Sequence, residues 1–129
     1  MSTFFSILVQ LIFMSSMHMY VQNPPRKLYI FGEEQHSSLV QHQLKLLYED
    51  SSGLVEREIQ IITVSNKSSL WKAFHVMPVA YAVVLIGKDG GEKYRANQLL
   101  QPATLYSIID AMPMRKNEIQ KRKTLNKGM

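Results

Sequence analysis

The residues of this sequence best suited to chemistry stand together in one short polar stretch. Glu33 and Glu34 are followed by His36, between a glycine and two serines. Carboxylate and imidazole groups suit zinc and other divalent ions, and the same groups transfer protons in acid–base catalysis. His42 lies six residues beyond His36, a spacing that does not fall on one helical face. We therefore treat Glu33, Glu34 and His36 as a candidate binding site, the alternative being a solvated loop. No metal site is predicted.

Several reaction classes are excluded by composition and motif. The 129 residues include no cysteine, so this chain has no thiol nucleophile, thiolate metal site or disulfide. No Gly-x-Ser-x-Gly occurs, and the serines, histidines and aspartates follow no pattern typical of a hydrolase. No catalytic residue and no cofactor are predicted.

A glycine-rich block runs from Gly87 through Lys88 and Asp89 to Gly90 and Gly91. Its Asp-Gly pair is a strong hairpin signal, because glycine tolerates a positive φ angle. The glycine spacing is not that of a phosphate loop, and no Gly-Lys-Ser/Thr follows. The block is interpreted as a hairpin turn, with a ligand loop as the alternative.

A second distinctive block runs from Asp110 to Arg115. Asp110 and Arg115 carry opposite charges on either side of Pro113, so an ion pair between them would fix a chain reversal. Met112 and Met114 are adaptable apolar groups that suit core filling or a partner groove. A structural lock is the favoured interpretation and a binding surface the alternative.

The elements that must position these residues alternate between strand and helix. Strands are predicted at Lys27–Phe31, Glu58–Val64, Tyr81–Ile86 and Glu92–Ala96, the third being the most buried. The first helix carries an apolar stripe and ends at Gly53, which suits a left-handed C-cap. A short helix with Leu70, Trp71 and Phe74 follows the second strand, and a last helix carries the stripe Leu105, Ile108, Ile109 and Met112.

The resulting order is βαβαββα, with a right-handed crossover between the first strands and an antiparallel hairpin at the end. This order predicts an α/β domain of thioredoxin-like fold, with a four-stranded mixed sheet and flanking helices.

Four segments carry a family likeness: Lys27–Phe31, Gly53–Ile59, Val83–Gly91 and Ile109–Arg115. Together they resemble the domain of unknown function 4174 family, over about residues 26–120. The resemblance implies a thioredoxin-like or peroxiredoxin-like fold without established activity. It also implies a relation to small exported bacterial proteins and to vertebrate sushi-repeat and coiled-coil-containing matrix proteins. Active thioredoxin-like enzymes carry a reactive cysteine in the loop after the first strand, where this chain has Gly32–His36.

The two ends of the chain differ from the middle. Residues 1–22 carry no charged side chain, and their apolar run Phe4–Met14 has the length of a signal-peptide core but is too short to span a bilayer. The alternative is an N-terminal helix or apolar extension docked on the domain. Residues 23–114 hold nine basic and nine acidic groups, so the net charge of +5 lies entirely in residues 115–129.

From these observations we expect a signal peptide at 1–22, a thioredoxin-like domain at 23–114 and a basic C-terminal tail at 115–129. The expected function is that of an exported, non-catalytic binding or interaction module, whose partner is a protein or an envelope or matrix component. One alternative is a degenerate peroxidase-like or oxidoreductase enzyme with non-thiol chemistry. The other is polyanion binding through the tail, without specific nucleic-acid recognition because no aromatic residue interrupts its charges.

Overall fold

Four strands and five α-helices form the part of the chain that the computed structural model describes, residues 24–78 and 80–129. The strands are β1 (Arg26–Phe31), β2 (Ile59–Val64), β3 (Ala82–Ile86) and β4 (Glu92–Ala96). The helices are α1 (Ser37–Tyr48), α2 (Ser51–Glu56), α3 (Leu70–Ala73), α4 (Pro102–Asp110) and α5 (Pro113–Lys127), with a 3₁₀ turn at Glu34–His36. The predicted signal peptide lies outside the described residues.

The sheet has the order β2-β1-β3-β4. β1 and β2 are parallel, with Phe31 opposite Val64, whereas β3 runs antiparallel to both β1 and β4. The predicted α/β fold with a four-stranded mixed sheet is therefore confirmed. We call the edge where β1 and β2 end the upper edge, and the edge where they begin the lower edge. The lower edge also holds the β3–β4 turn, Gly87–Gly91.

Apolar side chains cover both faces of the sheet. One face packs against α1 and α4, through residues such as Leu28, Ile30, Leu47 and Leu105. The other face is covered by α3 and its flanking loop, where Phe31 stacks edge-on against Trp71 at 5.1 Å between ring centroids. β3 contributes to both faces, and Val83, Val84 and Leu85 are fully buried. The prediction that this strand is the most buried is confirmed.

One buried polar side chain joins α1 to the segment before α4. The Gln43 amide donates to the Leu100 carbonyl at 2.8 Å and accepts from the Leu100 N–H at 2.7 Å. The Tyr81 hydroxyl donates to the same side chain at 2.9 Å, and burial raises the pKa of Tyr81 to about 12. These bonds satisfy the buried groups and fix the start of α4, the helix that carries Asp110.

One local prediction is wrong. Gly53 is not a left-handed C-cap but lies inside α2, where its N–H bonds the Asp50 carboxylate at 3.3 Å. A Cβ atom at Gly53 would approach the Tyr106 hydroxyl to 2.6 Å, so the glycine permits close packing. The stretch Gly32–His36 is partly helical, because its last three residues form the 3₁₀ turn.

The segment from Pro113 to Lys127 forms α5, so most of the stretch expected to be a basic tail is a regular helix. Pro113 occupies its first turn, where the missing N–H costs nothing. No helix in the described part of the chain is long and apolar enough to cross a membrane.

Candidate functional site

The loop after β1 lies at the upper edge, the position at which thioredoxin-like enzymes carry their reactive thiol. Glu33, Glu34 and His36 follow one another there, with Glu34 exposed and His36 half-buried. The His36 Nδ1 atom is buried and has no hydrogen-bond partner among the described residues. Within residues 24–78 and 80–129, no group of three or more side chains is arranged to hold a metal ion. The loop therefore presents polar groups without a thiol or a described metal cluster.

The other predicted residues converge on the lower edge. Three of the four segments that carry the family likeness meet there: the end of α2 with the start of β2, the β3–β4 turn, and the α4–α5 junction. Charged side chains from these segments, together with Arg26, Glu118 and Arg122, form one connected set. We call it the basal ion-pair network: Arg26, Glu56, Arg57, Glu58, Lys88, Asp110, Arg115, Glu118 and Arg122.

Arg115 lies at the centre of one half of this network. Its side chain is only 1% exposed, and its Nε atom donates to Asp110 at 3.1 Å. Its Nη2 atom donates to the Glu56 carboxylate at 2.8 Å. Asp110 also accepts two bonds from Arg57, at 3.0 and 2.9 Å. Asp110 thus ties α2, α4 and α5 together through two arginines.

Glu118 is the hub of the other half. Its carboxylate accepts two bonds from Arg26, at 3.1 and 3.3 Å, and lies 2.8 Å from the Lys88 ammonium group. Arg115 approaches it to 3.5 Å. The side chains of Arg26 and Lys88 are 1% and 4% exposed, and Lys88 also pairs with Glu58. A single carboxylate on α5 therefore pairs with two buried cations, one on β1 and one in the β3–β4 turn.

The network keeps the carboxylates of Asp110 and Glu118 ionised. Hydrogen bonds from Arg57, opposed by burial and assisted by Arg115, hold the pKa of Asp110 below its usual value. Burial alone would raise the pKa of Glu118, but the bonds from Lys88 and Arg26 outweigh it and leave the pKa lowered. A general acid or base needs a pKa near the working pH. These two carboxylates are instead suited to a permanent electrostatic contact.

The β3–β4 turn satisfies its own polar groups. The Gly87 N–H donates to the Gly91 carbonyl at 2.8 Å, and the Asp89 carboxylate accepts from the Gly91 N–H at 2.9 Å and from Lys93 at 2.7 Å. Gly90 has a φ angle of +82°, which favours glycine. With its three glycine N–H groups and the Asp89 carboxylate bonded within the hairpin, the block has the geometry of a hairpin rather than of an anion-binding loop.

Comparison with known proteins identifies the family and the fold. The family model for the domain of unknown function DUF4174 matches residues 19–118. The chain belongs to this family. A search of curated proteins finds no match.

Two solved structures resemble the DUF4174 domain. One is thioredoxin-2, described as a component of the protein secretion machinery of the malaria parasite. It shows 16% identity and a TM-score of 0.56, over 68% of this chain and 84% of that chain. The other is described as a malarial protein, with 15% identity and a TM-score of 0.50, over 67% and 94% of the two chains. These likenesses confirm the predicted thioredoxin-like fold.

Two adjoining cavities open beside the basal network of the DUF4174 domain. Their volumes are about 410 and 480 Å³, and both are lined by Lys88 and Met114. Ile108, Met112 and Pro113 line the larger one, while Lys121 and Arg122 line the smaller one. The two methionines singled out in the sequence thus line surface cavities, and Met114 is 47% exposed.

The network contains several residues that sequence reasoning did not single out: Arg26, Glu56, Arg57, Glu58, Glu118 and Arg122. Arg26 and Glu118 are 92 positions apart, and Arg57 and Asp110 are 53 apart. The only sequence signal was the resemblance itself, because Glu56, Arg57 and Glu58 lie in one of the four family segments. The spacing of neighbouring residues in the sequence gives no indication that Arg26 contacts α5.

Proposed function

We propose that this DUF4174 chain is an exported, non-catalytic binding module that retains a thioredoxin-like scaffold. The observation that carries the proposal is the loop after β1, which holds Gly32–His36 and no thiol in a chain without cysteine. A fold can host unrelated functions, so the scaffold by itself implies no chemistry.

The lower edge supports a binding role rather than a chemical one. Its buried charges are paired, and the lowered pKa values of Asp110 and Glu118 keep them ionised rather than poised for proton transfer. α5 also leaves Met114 and Leu125 exposed on one face, at 47% and 68%. The two residues are eleven positions apart, which is about three helical turns, so their side chains align along the helix. Export rests on the uncharged, apolar residues 1–22, and the partner we propose is a protein or an envelope or matrix component.

Peroxide consumption separates this proposal from a degenerate peroxidase or oxidoreductase. The purified chain, mixed with hydrogen peroxide and a dithiol reductant, should consume peroxide no faster than the reductant alone, because it lacks the thiolate that such enzymes use. The same mixture with flavin or haem added serves as the control for non-thiol chemistry. Turnover faster than in the same mixture without the chain would show that the chain is an enzyme rather than a non-catalytic binding module.

A second candidate function, polyanion binding through the C-terminal segment, is favoured by one observation on α5. Lys116, Lys123 and Lys127 are exposed and recur at spacings of seven and four residues, which places them on one helical face. Arg115 does not belong to this surface, because it is buried and paired. The basic stripe that is open to a polyanion thus consists of three lysines.

Changing Lys116, Lys123 and Lys127 together to glutamine is expected to abolish retention of the protein on a heparin column. The stripe then presents no continuous positive charge, and polyanion binding depends on such charge. The matched control changes three exposed lysines elsewhere, Lys45, Lys67 and Lys72, and so removes the same charge. Equal elution of the two triple variants would exclude the stripe as a binding surface.

A further inference from the structure

One turn at the upper edge carries a motif that the binding role does not use. Asn66-Lys67-Ser68 is the only Asn-x-Ser/Thr triplet in the sequence, and its middle residue is not proline. In exported eukaryotic proteins this triplet is the acceptor for an N-linked oligosaccharide, and the acceptor must lie on the surface. Its position between β2 and α3 makes it a candidate modification site.

The geometry of this turn presents Asn66 to solvent. The Ser68 N–H donates to the Ser65 carbonyl at 3.0 Å, which closes a turn with Asn66 and Lys67 at its corners. Both corner residues are exposed. The turn is held at its base, because the Trp71 indole N–H donates to the Ser65 carbonyl at 2.9 Å and the Ser68 hydroxyl accepts from the Leu70 N–H at 3.2 Å.

Space for a sugar is available next to Asn66. An open cavity of about 380 Å³ lies beside the turn, lined by Asn66, Lys67, Trp71 and Pro78 among others. A group attached to the Asn66 amide therefore meets open surface and solvent rather than the packed core.

We propose that Asn66 is the acceptor of an N-linked glycan, an inference that rests on the proposed export. The donor is an oligosaccharide carried on a lipid diphosphate. The Asn66 amide nitrogen forms a bond to the anomeric carbon of the first sugar, whose bond to the phosphate oxygen breaks. The amide loses one proton, and the lipid diphosphate leaves with the bonding electron pair. No oxidant or reductant is needed.

The glycan has a consequence for the upper edge. Phe31 and Val64 are paired across β1 and β2, so the loop after β1 and the turn after β2 are neighbours. A glycan on Asn66 therefore stands beside Gly32–His36, where thioredoxin-like enzymes carry their thiol. Such a group leaves the lower edge and α5 free for a partner.

The experiment expresses the full chain in eukaryotic secretory cells and analyses the chain released into the medium. Treatment with a peptide N-glycosidase should remove the mass of one glycan and leave an aspartate at position 66, seen by peptide mass spectrometry. Asn66→Gln and Ser68→Ala should each abolish the mass loss, whereas Ser68→Thr should keep it. Asn97→Gln is the matched control, because Asn97 is exposed just after the upper end of β4 and lies in no acceptor triplet.

A second version of the chain, in which an established secretion leader replaces residues 1–22, separates the two proposals. A released chain without glycan, in both versions, would overturn the acceptor site. Release and modification of the second version alone would confirm Asn66 as an acceptor and overturn export by residues 1–22. A glycan that persists in Asn66→Gln would also overturn the assignment.

Discussion

Replacing Arg115 with alanine is expected to lower the free energy of unfolding by about 3 kcal/mol, the lower end of the range for breaking a buried ion pair. The Arg115 side chain is 1% exposed, and its loss takes one partner from each of Asp110 and Glu56, which then keep Arg57. Those carboxylates are 38% and 49% exposed, so water recovers part of their solvation. Removing the aliphatic part of the Arg115 side chain also leaves a void between α5 and the rest of the domain.

This loss should be visible in thermal unfolding as a fall in Tm of about 10–20 °C for a domain of this size. The matched control is Arg122→Ala, which removes an arginine of the same helix that contacts the same Glu56. Arg122 is 52% exposed, and its pair lies at the surface, so its removal should cost no more than about 0.5 kcal/mol. Equal Tm values for the two variants would show that Arg115 is not the anchor of α5.

Replacing Glu118 with glutamine is expected to cost about 2–3 kcal/mol at neutral pH, because two buried cations lose their shared carboxylate. Arg26 retains the Arg57 carbonyl and Lys88 retains Glu58, which limits the loss. The control is Glu92→Gln, which breaks the exposed pair with Arg95 and should cost less than about 1 kcal/mol.

The loss of stability in Glu118→Gln is expected to depend on pH. The folded pKa of Glu118 lies below its usual value of 4.5, so its stabilising contribution is present above that value and is lost as the pH falls through the folded pKa. Urea unfolding at pH 7 and at about pH 3 should therefore show the difference between wild type and Glu118→Gln shrinking in acid. A difference that stays constant across this range would contradict an electrostatic role for Glu118.

The sheet could be predicted from the sequence because each strand carries a local signal. The apolar run that forms β3, the β-branched β2 and the Asp-Gly turn before β4 all fall where their patterns indicate. The helix end predicted at Gly53 is wrong, because this glycine allows Tyr106 to pack closely against α2 and does not end a helix. Sequence pattern alone does not distinguish these two uses of glycine.

The basal ion-pair network could not be predicted, because its members come from distant parts of the chain. Counting charge by segment assigned Arg115 to a basic tail, although in the fold it is neutralised by Glu56 and Asp110 of the domain. The suggested pair of Asp110 and Arg115 is present at 3.1 Å, but its larger setting with Arg57 and Glu118 depends on tertiary structure. The upper-edge loop was easier to interpret, since the missing thiol is visible in the sequence.

We propose, as the central claim, that the upper edge of this thioredoxin-like domain carries out no thiol–disulfide exchange, and reduction of a protein disulfide by the purified chain tests it most directly. The control variant carries Glu33→Cys and His36→Cys, which places a Cys-x-x-Cys pair in the loop after β1. We predict that the wild type reduces the disulfide no faster than the reductant alone, whereas the control variant reduces it faster because it supplies a thiolate. A wild-type rate above that background, matching the control variant, would contradict the claim.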